Sequence, residues 1–555
     1  MPDPRPLPGL FELPDEVRAL LLHGSAGRDH LLRTASAALS QGMKREGAER
    51  AGLALTARDI FATAWTQAPL EGETALMLAQ VRLPREAALP EALSALLAQY
   101  AQAWSPPPAT DPYFALSRPS DAPARAEHIA RRAVAEPRNL FWKAEAWRLA
   151  VVHALWEPAL ATILHGEWPR TLAPVRLLAQ AQLLLARGDA PGALARLREL
   201  DGLGVELPGA PSQELAGECL LRLGQGRGAE RSWTACLEGA PWRVNTLLKL
   251  HDHASGAGRE LAPPPGSVAI LIYSYNKAAE LDATLRSLAD SDTGGAPVWV
   301  LDNGSTDGTP GMVRAWGERL GDRLSAIHLP VNVGAPAARN WLLALPEVLA
   351  HDFLVFLDDD VSLPADWLNR LGAASRLCPE ASVWGCRVVD EASPLVAQSV
   401  DYAPLAPDLA EGGRKMVLPH LHHGLADLGQ FTYLRPCVCV MGCCHMLRTA
   451  DIARAGGFDI RFSPSQGDDV ERDLRVLLAG GHAAYQGHLA VAHKRRSGLA
   501  VERSAAEHGN ATANAHKLET KHPLEAFLRA HRDGEALLER DLRRKAERFS
   551  GRGAG

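Results

Sequence analysis

No stretch of about 18 uncharged apolar residues, the length a membrane-spanning helix needs, occurs in the 555-residue chain. Even the richest apolar run, Leu140 to Leu164, is interrupted by Lys143, Glu145, Arg148, His153 and Glu157. A basic excess is missing too. Lys and Arg total 59 against 65 Asp and Glu, a formal net charge of -6, which removes the long-range attraction a dedicated nucleic-acid binder relies on. The opening Met1-Pro2-Asp3-Pro4-Arg5-Pro6-Leu7-Pro8 has neither the basic segment nor the apolar core of a secretory leader. The eight cysteines, four of them crowded between Cys437 and Cys444, are not spaced as a disulfide framework. These absences predict a soluble protein of a reducing cytoplasm, compatible with peripheral attachment at the inner face of the membrane. They also predict no transmembrane segment and no nucleic-acid partner.

What is present is ordinary globular material: 46% hydrophobic and 22% charged residues, enough to bury real cores. At roughly 150 residues per domain, the length predicts three to four domains. After an N-terminal extension (1–19), residues 20–260 read as all-α, with Ala, Leu, Arg and Glu dominating and apolar residues returning every three or four positions. Two stretches in it are alike, Leu183 to Ala193 and Cys219 to Ala229, their glycines Gly188 and Gly224 lying 36 residues apart. Each ends one helix at a glycine and opens another after a short turn, so helical hairpins are expected near residues 171–250. Two units fit a tetratricopeptide-like pair or an irregular bundle equally well. Gly224-Gln225-Gly226-Arg227-Gly228-Ala229 matches a dinucleotide-binding spacing, but it follows a helix rather than a strand and reads as a helix-helix turn.

Leu261-Ala262-Pro263-Pro264-Pro265-Gly266 is a breaker no helix crosses, and a second domain is expected over 266–500. Strand-like runs at Val268 to Tyr273, Pro297 to Leu301 and Phe353 to Leu357 alternate with helical patterns at Lys277 to Leu288, Thr309 to Leu320 and Ala335 to Leu345. Alternation of this kind implies a mainly parallel sheet covered on both faces. Residues 501–555 read as a polar helical tail, frayed from Arg540 onward.

Ligands of open α/β sheets bind beyond the carboxyl ends of the strands. The three strands here run into Ser274-Tyr275-Asn276-Lys277, Asp302-Asn303-Gly304-Ser305-Thr306-Asp307-Gly308-Thr309 and Asp358-Asp359-Asp360. Alone, the second could be a turn and a helix cap. Three consecutive carboxylates repel one another unless solvent or a cation relieves them, and hard divalent cations favour such oxygens.

Several motifs in order resemble family 2 glycosyltransferases, inverting enzymes of GT-A type. Ile272-Tyr273-Ser274-Tyr275-Asn276-Lys277 looks like I-P-T-Y-N-R, Leu301 to Thr309 is similar to V-D-D-G-S-T-D-G-T, and Asn332 to Asn340 resembles N-x-G-x-x-x-A-R-N. Phe356 to Val361 resembles the D-x-D element and Gly456-Gly457-Phe458-Asp459 the G-G-F-D turn. Gly467-Asp468-Asp469-Val470-Glu471 stands for G-E-D-x-D, and His493 for a late histidine. The resemblance covers roughly Ser267 to Gly498. Tyr273, Asn303 and Asp468 depart from the usual proline, aspartate and glutamate.

The resemblance implies an α/β GT-A domain behind an all-α, tetratricopeptide-like one, and a transferase moving a sugar from a nucleotide-diphosphate donor to an acceptor hydroxyl. Donor-binding residues would be Ser274, Tyr275, Asn276, Asp302, Asn303, Arg339, Asp358 and Asp359. Asp360 and His493 would hold Mn²⁺ or Mg²⁺, the imidazole tilting the choice toward Mn²⁺. Asp469 is the expected general base, with Asp468 beside it. Lys494, Arg495 and Arg496 either add charge to the leaving group or form a solvated loop. The absence of a Q-x-x-R-W element argues against processive synthesis. The acceptor class is a glycan, a lipid-linked group or a protein, and the helical domain is a candidate protein-binding surface.

Two other readings compete. A sugar nucleotidyltransferase would want a glycine-rich phosphate loop after the first strand, and Tyr273 to Ala279 contains no glycine. An inactive helical-repeat scaffold would have no need of acids at three separate motifs. Cys437 to His445 reads as one buried strand rather than a metal site. His420, His422 and His423 read as a solvated cluster.

Overall fold

The computed structural model describes residues 9–406, 415–495 and 504–550. The Met1 to Pro8 opening, Arg496 of the basic run and the Gly551 to Gly555 end lie outside the described residues. The chain divides into two compact units, one formed by residues up to 254 together with 420–430, the other by 255–419, 431–497 and 503–555.

The first unit is all-α. After a 3-10 turn at Leu10–Glu12, its earliest α-helix is Asp15–His23, a few residues ahead of the expected start. Two hairpins, Ala173–Ala186 with Ala190–Gly202 and Pro211–Arg222 with Gly226–Gly239, occupy the two similar stretches. Their turns pass through Gly188 and Gly224 at φ 83° and 72°, the left-handed region that glycine enters without penalty. Asp189 caps the second helix of the first hairpin by accepting from Gly192 N at 2.9 Å. A core of Tyr113, Phe141, Trp142, Leu149, Ile163 and Leu183 closes the earlier helices. Two buried cations are paired, Lys249 Nζ lying 2.6 Å from Glu218 and Arg243 2.5 Å from Glu214, which offsets the cost of removing a charge from water.

The second unit is built on a ten-stranded sheet. The strands are β1 (Val268–Ser274), β2 (Val298–Asp302), β3 (Leu324–His328), β4 (Phe353–Leu357), β5 (Val361–Ser362), β6 (Val383–Asp390), β7 (Ala397–Ser399), β8 (Leu434–Cys437), β9 (Cys444–Arg448) and β10 (Ala483–His493). Their order is β3-β2-β1-β4-β9-β6-β10-β5, with β7 on β6 and β8 on β10. β3, β2, β1 and β4 run parallel, whereas β9 pairs antiparallel with both β4 and β6. The sheet is therefore mixed rather than mainly parallel. β1, β2 and β4 are apolar because both of their faces are buried.

Two sequence readings are corrected here. Cys437 to His445 is not one strand: β8 ends at Cys437 and β9 begins at Cys444, because the chain turns at Gly442. All eight cysteines are free and seven are buried, which fits packing.

The C-terminal region is not a frayed polar tail either. Helix Ala505–Lys521 begins at Ser504, whose Oγ accepts from Glu507 N at 3.2 Å. In helix Leu524–Ser550, Phe527, Ala530, Leu538 and Leu542 are buried, a helical-period apolar stripe diluted by surrounding charge. Lys545 within the charged stretch is buried as well, donating to Leu434 O of β8 at 2.5 Å and pairing with Asp541 at 2.8 Å.

Candidate functional site

The ends of β1, β2 and β4 lie side by side because Ser274 pairs with Asp302 and Ile272 with Leu357. This registry puts the polar residues that follow each strand at one edge of the sheet, where the strand order changes direction.

Each carboxylate after β4 meets its own partner. Tyr273 Oη donates to Asp358 at 2.9 Å and Ser274 Oγ to Asp359 at 2.7 Å. Lys277 Nζ bridges Asp359 and Asp360 at 2.9 and 2.8 Å, so its ammonium relieves the crowding of acids. Burial raises Asp359 to about 6, with Asp360 adding to the rise and Lys277 opposing it. Burial pushes Asp360 the same way, but the His493 hydrogen bond and Lys277 outweigh it and hold Asp360 below the usual carboxylate range.

His493, the last residue of β10, places Nε2 3.0 Å from Asp360 and Nδ1 2.9 Å from Gln398 Oε1. The Gln398 amide is oriented by donating its Nε2 to Arg495 O at 3.0 Å. Its oxygen therefore faces the ring and accepts from Nδ1–H, while Nε2 donates to Asp360; an ion bound there would displace the Nε2 proton and take that nitrogen as its ligand. Ligand atoms of Asp358, Asp360 and His493 lie within 4.8 Å of one another. Two carboxylates and an imidazole with an oriented tautomer form a donor set that fits a divalent cation.

The other side of the site starts at Gly467, whose φ of 83° ends the preceding loop so that helix Asp468–Leu478 can begin. Arg339, on helix Ala335–Leu343, donates Nη1 to Asp468 at 2.7 Å and Nη2 to Gly442 O at 3.2 Å, with Asp358 3.3 Å away. Its guanidinium also packs on the rings of Tyr273 and Phe458, 5.0 and 4.9 Å from the centroids. Burial raises Asp468 to about 6, against the pull of Arg339. Asp469 is half-buried and accepts from Gly442 N at 2.8 Å and Val470 N at 2.9 Å.

Asp302 and Asn303 are buried and serve their own loop. Asp302 accepts from Ser305 N at 3.0 Å and lies 3.0 Å from His328 Nδ1 of β3. Asn303 accepts from Val333 N and donates to Asn332, both at 3.0 Å, binding its loop to the Asn332-Val333-Gly334 loop. Gly304, at φ 74°, lets them meet: a Cβ there would come within 2.4 Å of the Val331 carbonyl carbon. Asn276, at φ 53°, accepts from Thr306 N at 2.7 Å, and Tyr275 is exposed.

The structure thus joins Ser274, Arg339, Asp358, Asp359, Asp360, Asp468, Asp469 and His493 through shared partners, while Asn276, Asp302 and Asn303 shape the adjoining loops. Arg495 pairs with Glu507 at 3.1 Å. Lys277, Tyr273, Gln398 and His328 were not among the site residues expected. Lys277 carried a usable signal, a cation at the end of the motif after β1. Gln398 carried none, since only folding brings it to His493.

Residues 269–452 match the family model for Glycosyl transferase family 2. The chain is 30% identical over 268 residues to validoxylamine A glucosyltransferase of Streptomyces hygroscopicus subsp. limoneus, an alignment spanning 43% of this chain and 55% of that one. It is 29% identical over 212 residues to succinoglycan biosynthesis protein ExoM of Rhizobium meliloti, spanning 37% and 60%. It therefore spans little more than half the length of these curated relatives. Among solved structures, mannosyltransferase PcManGT of Pyrobaculum calidifontis, in complex with GDP-Man and Mn²⁺, is similar at TM-score 0.33 and 15% identity, over 56% of this chain and 88% of that one. Motif order, the match over residues 269–452 and the curated relatives agree in making the α/β unit of this chain similar to family 2 glycosyltransferases.

Proposed function

We propose that the chain transfers a sugar from a nucleotide-diphosphate donor to an acceptor hydroxyl, once per encounter and with inversion at the anomeric carbon. The observation carrying this reading is the Arg339 guanidinium, which links Asp468 of the acid pair to Asp358 of the acid triplet. Donor-side and acceptor-side acids share one site because of it. Match to the family 2 model leaves the nucleotidyltransferase and inactive-scaffold readings without comparable support.

Ser274, Tyr275, Asn276, Asp302 and Asn303 shape the edge that takes the nucleoside, and Asp358 and Asp359 face the ribose and diphosphate. Asp358, Asp360 and His493 would hold a divalent ion, Mn²⁺ or Mg²⁺, which when bound supplies positive charge to the departing diphosphate. Lys277 provides a second cation at the same carboxylates.

Asp469 acts as general base and Asp468 orients Arg339. Asp468 is committed to an ion pair and buried, whereas Asp469 is partly open and anchored only by backbone amides. A base must reach the acceptor proton directly. As the acceptor oxygen attacks the anomeric carbon, Asp469 takes its proton and the bond to the diphosphate breaks on the opposite face, which inverts the centre in a single displacement. A glycan, lipid-linked group or protein fits as acceptor class, and the helical unit is a surface for presenting it or for binding a protein partner.

The test is release of nucleotide from a panel of UDP-, GDP- and dTDP-sugars with Mn²⁺ or Mg²⁺, compared between the parent and Asp469→Asn. Turnover of one donor that collapses in the variant supports the reading. No turnover and no thermal stabilisation by any nucleotide overturns it.

A further inference from the structure

We infer that His420, His422 and His423 form a binding site for a borderline divalent transition-metal ion, Zn²⁺ or a close analogue, belonging to the helical unit. Their ligand nitrogens all lie within 4.8 Å of one another. Among the described residues only this triad and the Asp358, Asp360 and His493 group reach such proximity.

The chemistry of the two groups differs. Oxygen-rich donors suit Mg²⁺ or Mn²⁺, whereas imidazole alone selects the Zn²⁺ end of the series. With Zn–N bonds of about 2.0–2.1 Å, tetrahedral ligand atoms sit about 3.3 Å apart. The triad thus needs a contraction that side-chain rotation can supply.

The backbone already holds the ligands together. His423 N donates to His420 O and Leu425 N to His422 O, both at 3.2 Å, and Gly424 at φ 75° closes the turn. The rings lie close together, His422 being 4.6 Å from His423, and the parallel stack of His420 on His423 at 4.5 Å and 4° has to open by side-chain rotation for both nitrogens to face one ion. His422 is buried while the other two are exposed, so one ligand is seated in the protein and two close over the ion from solvent.

Leu421, inside the triad, is buried and packs so closely that a Cβ on Gly24 would come within 2.6 Å of its side chain and one on Gly27 within 2.7 Å of its carbonyl oxygen. An ion on the flanking histidines would therefore pin residues 420–423 to the start of helix Arg28–Met43. Its role is structural rather than chemical. The sequence reading of a solvated cluster holds for His420 and His423 and fails for His422.

The experiment uses the untagged full chain, stripped with chelator and titrated with Co²⁺, whose visible absorption reports low-coordinate nitrogen ligation. Parent, His420→Ala/His423→Ala and Asp360→Asn proteins are compared. Both substituted histidines are exposed, and circular dichroism checks the fold. The double variant is expected to bind one Co²⁺ fewer per chain than the parent and to lose the absorption band of nitrogen ligation, while Asp360→Asn, which removes a ligand of the other group, keeps that band. Zn²⁺ should raise the Tm of the parent more than that of the double variant. Equal Co²⁺ stoichiometry and spectrum in the parent and the double variant overturn the proposal.

Discussion

Arg339 and Asp468, 129 positions apart in sequence, form a 2.7 Å ion pair in which both partners are buried. A buried guanidinium held by one carboxylate, a second carboxylate, a carbonyl and two aromatic faces has little freedom to move, so it sets the spacing between Asp358 and Asp468.

Arg339→Lys keeps the charge but cannot contact Asp468, Asp358 and Gly442 O together, and a fork-shaped donor is not replaced by a point charge. Turnover should fall about 10²-fold, the cost of slight misplacement of reacting groups. Arg339→Met, which strands Asp468, should in addition lower stability by about 3–5 kcal/mol. Steady-state kinetics and denaturant melts check the two effects.

Asp469→Asn should lower kcat by about 10²-fold or more with little change in donor affinity. Asp468→Asn should act differently, shifting Tm and KM along with kcat, because its carboxylate is a partner of Arg339. If the two variants have the same kinetic signature, the division of roles between these neighbours fails.

His493→Ala should raise the Mn²⁺ concentration needed for half-maximal turnover by about 10-fold or more, and Gln398→Leu by less. Gln398 touches neither cation nor donor in this reading and acts only by orienting the ring. A Gln398 variant with an unchanged metal requirement would remove it from that role.

Glu471 and Asp473 share one helix and respond to pH in opposite senses. Burial alone would raise Glu471, but hydrogen bonds from His522, Arg475 and Lys521 hold it at about 2. Its stabilising contribution is present above its unfolded value of 4.5 and is lost as pH falls from there toward 2. Asp473 is raised by burial to about 7, so the folded state binds the extra proton and loses stability as pH rises from 3.8 to 7. Asp473→Asn should therefore stabilise the protein at pH 8 and be neutral at pH 4. Glu471→Gln should destabilise it at pH 8 and matter less near pH 2. Melts across pH separate the two.

Gly304→Ala should destabilise the protein by about 1–3 kcal/mol through forced left-handed backbone and should impair turnover, since it drives the Asp302 loop off Val331. A thermal melt and an activity assay of the same preparation check both.

The site was legible in sequence where a strand end and its chemistry are contiguous. β1, β2 and β4 are short apolar runs bounded by turn residues, and Asp358 to Asp360 follow β4 directly. β3 was missed because Leu324–His328 is an edge strand with largely exposed side chains and no apolar run. β8 and β9 merged into one reading because small buried residues continue through the turn between them. The helix after Leu524 was read as polar because its charges outnumber the few residues that anchor it. The distinction between Asp468 and Asp469 was invisible for another reason: it is set by Arg339, a residue remote in sequence.

The segment His420–Gln430 counts with the helical unit although the chain on either side of it counts with the α/β unit. Protein made from the first 254 residues alone would present Gly24 and Gly27 bare where Leu421 should sit, and so would expose a greasy scar rather than an intact module. Any dissection for separate study has to splice those eleven residues back in, as a graft or an added peptide.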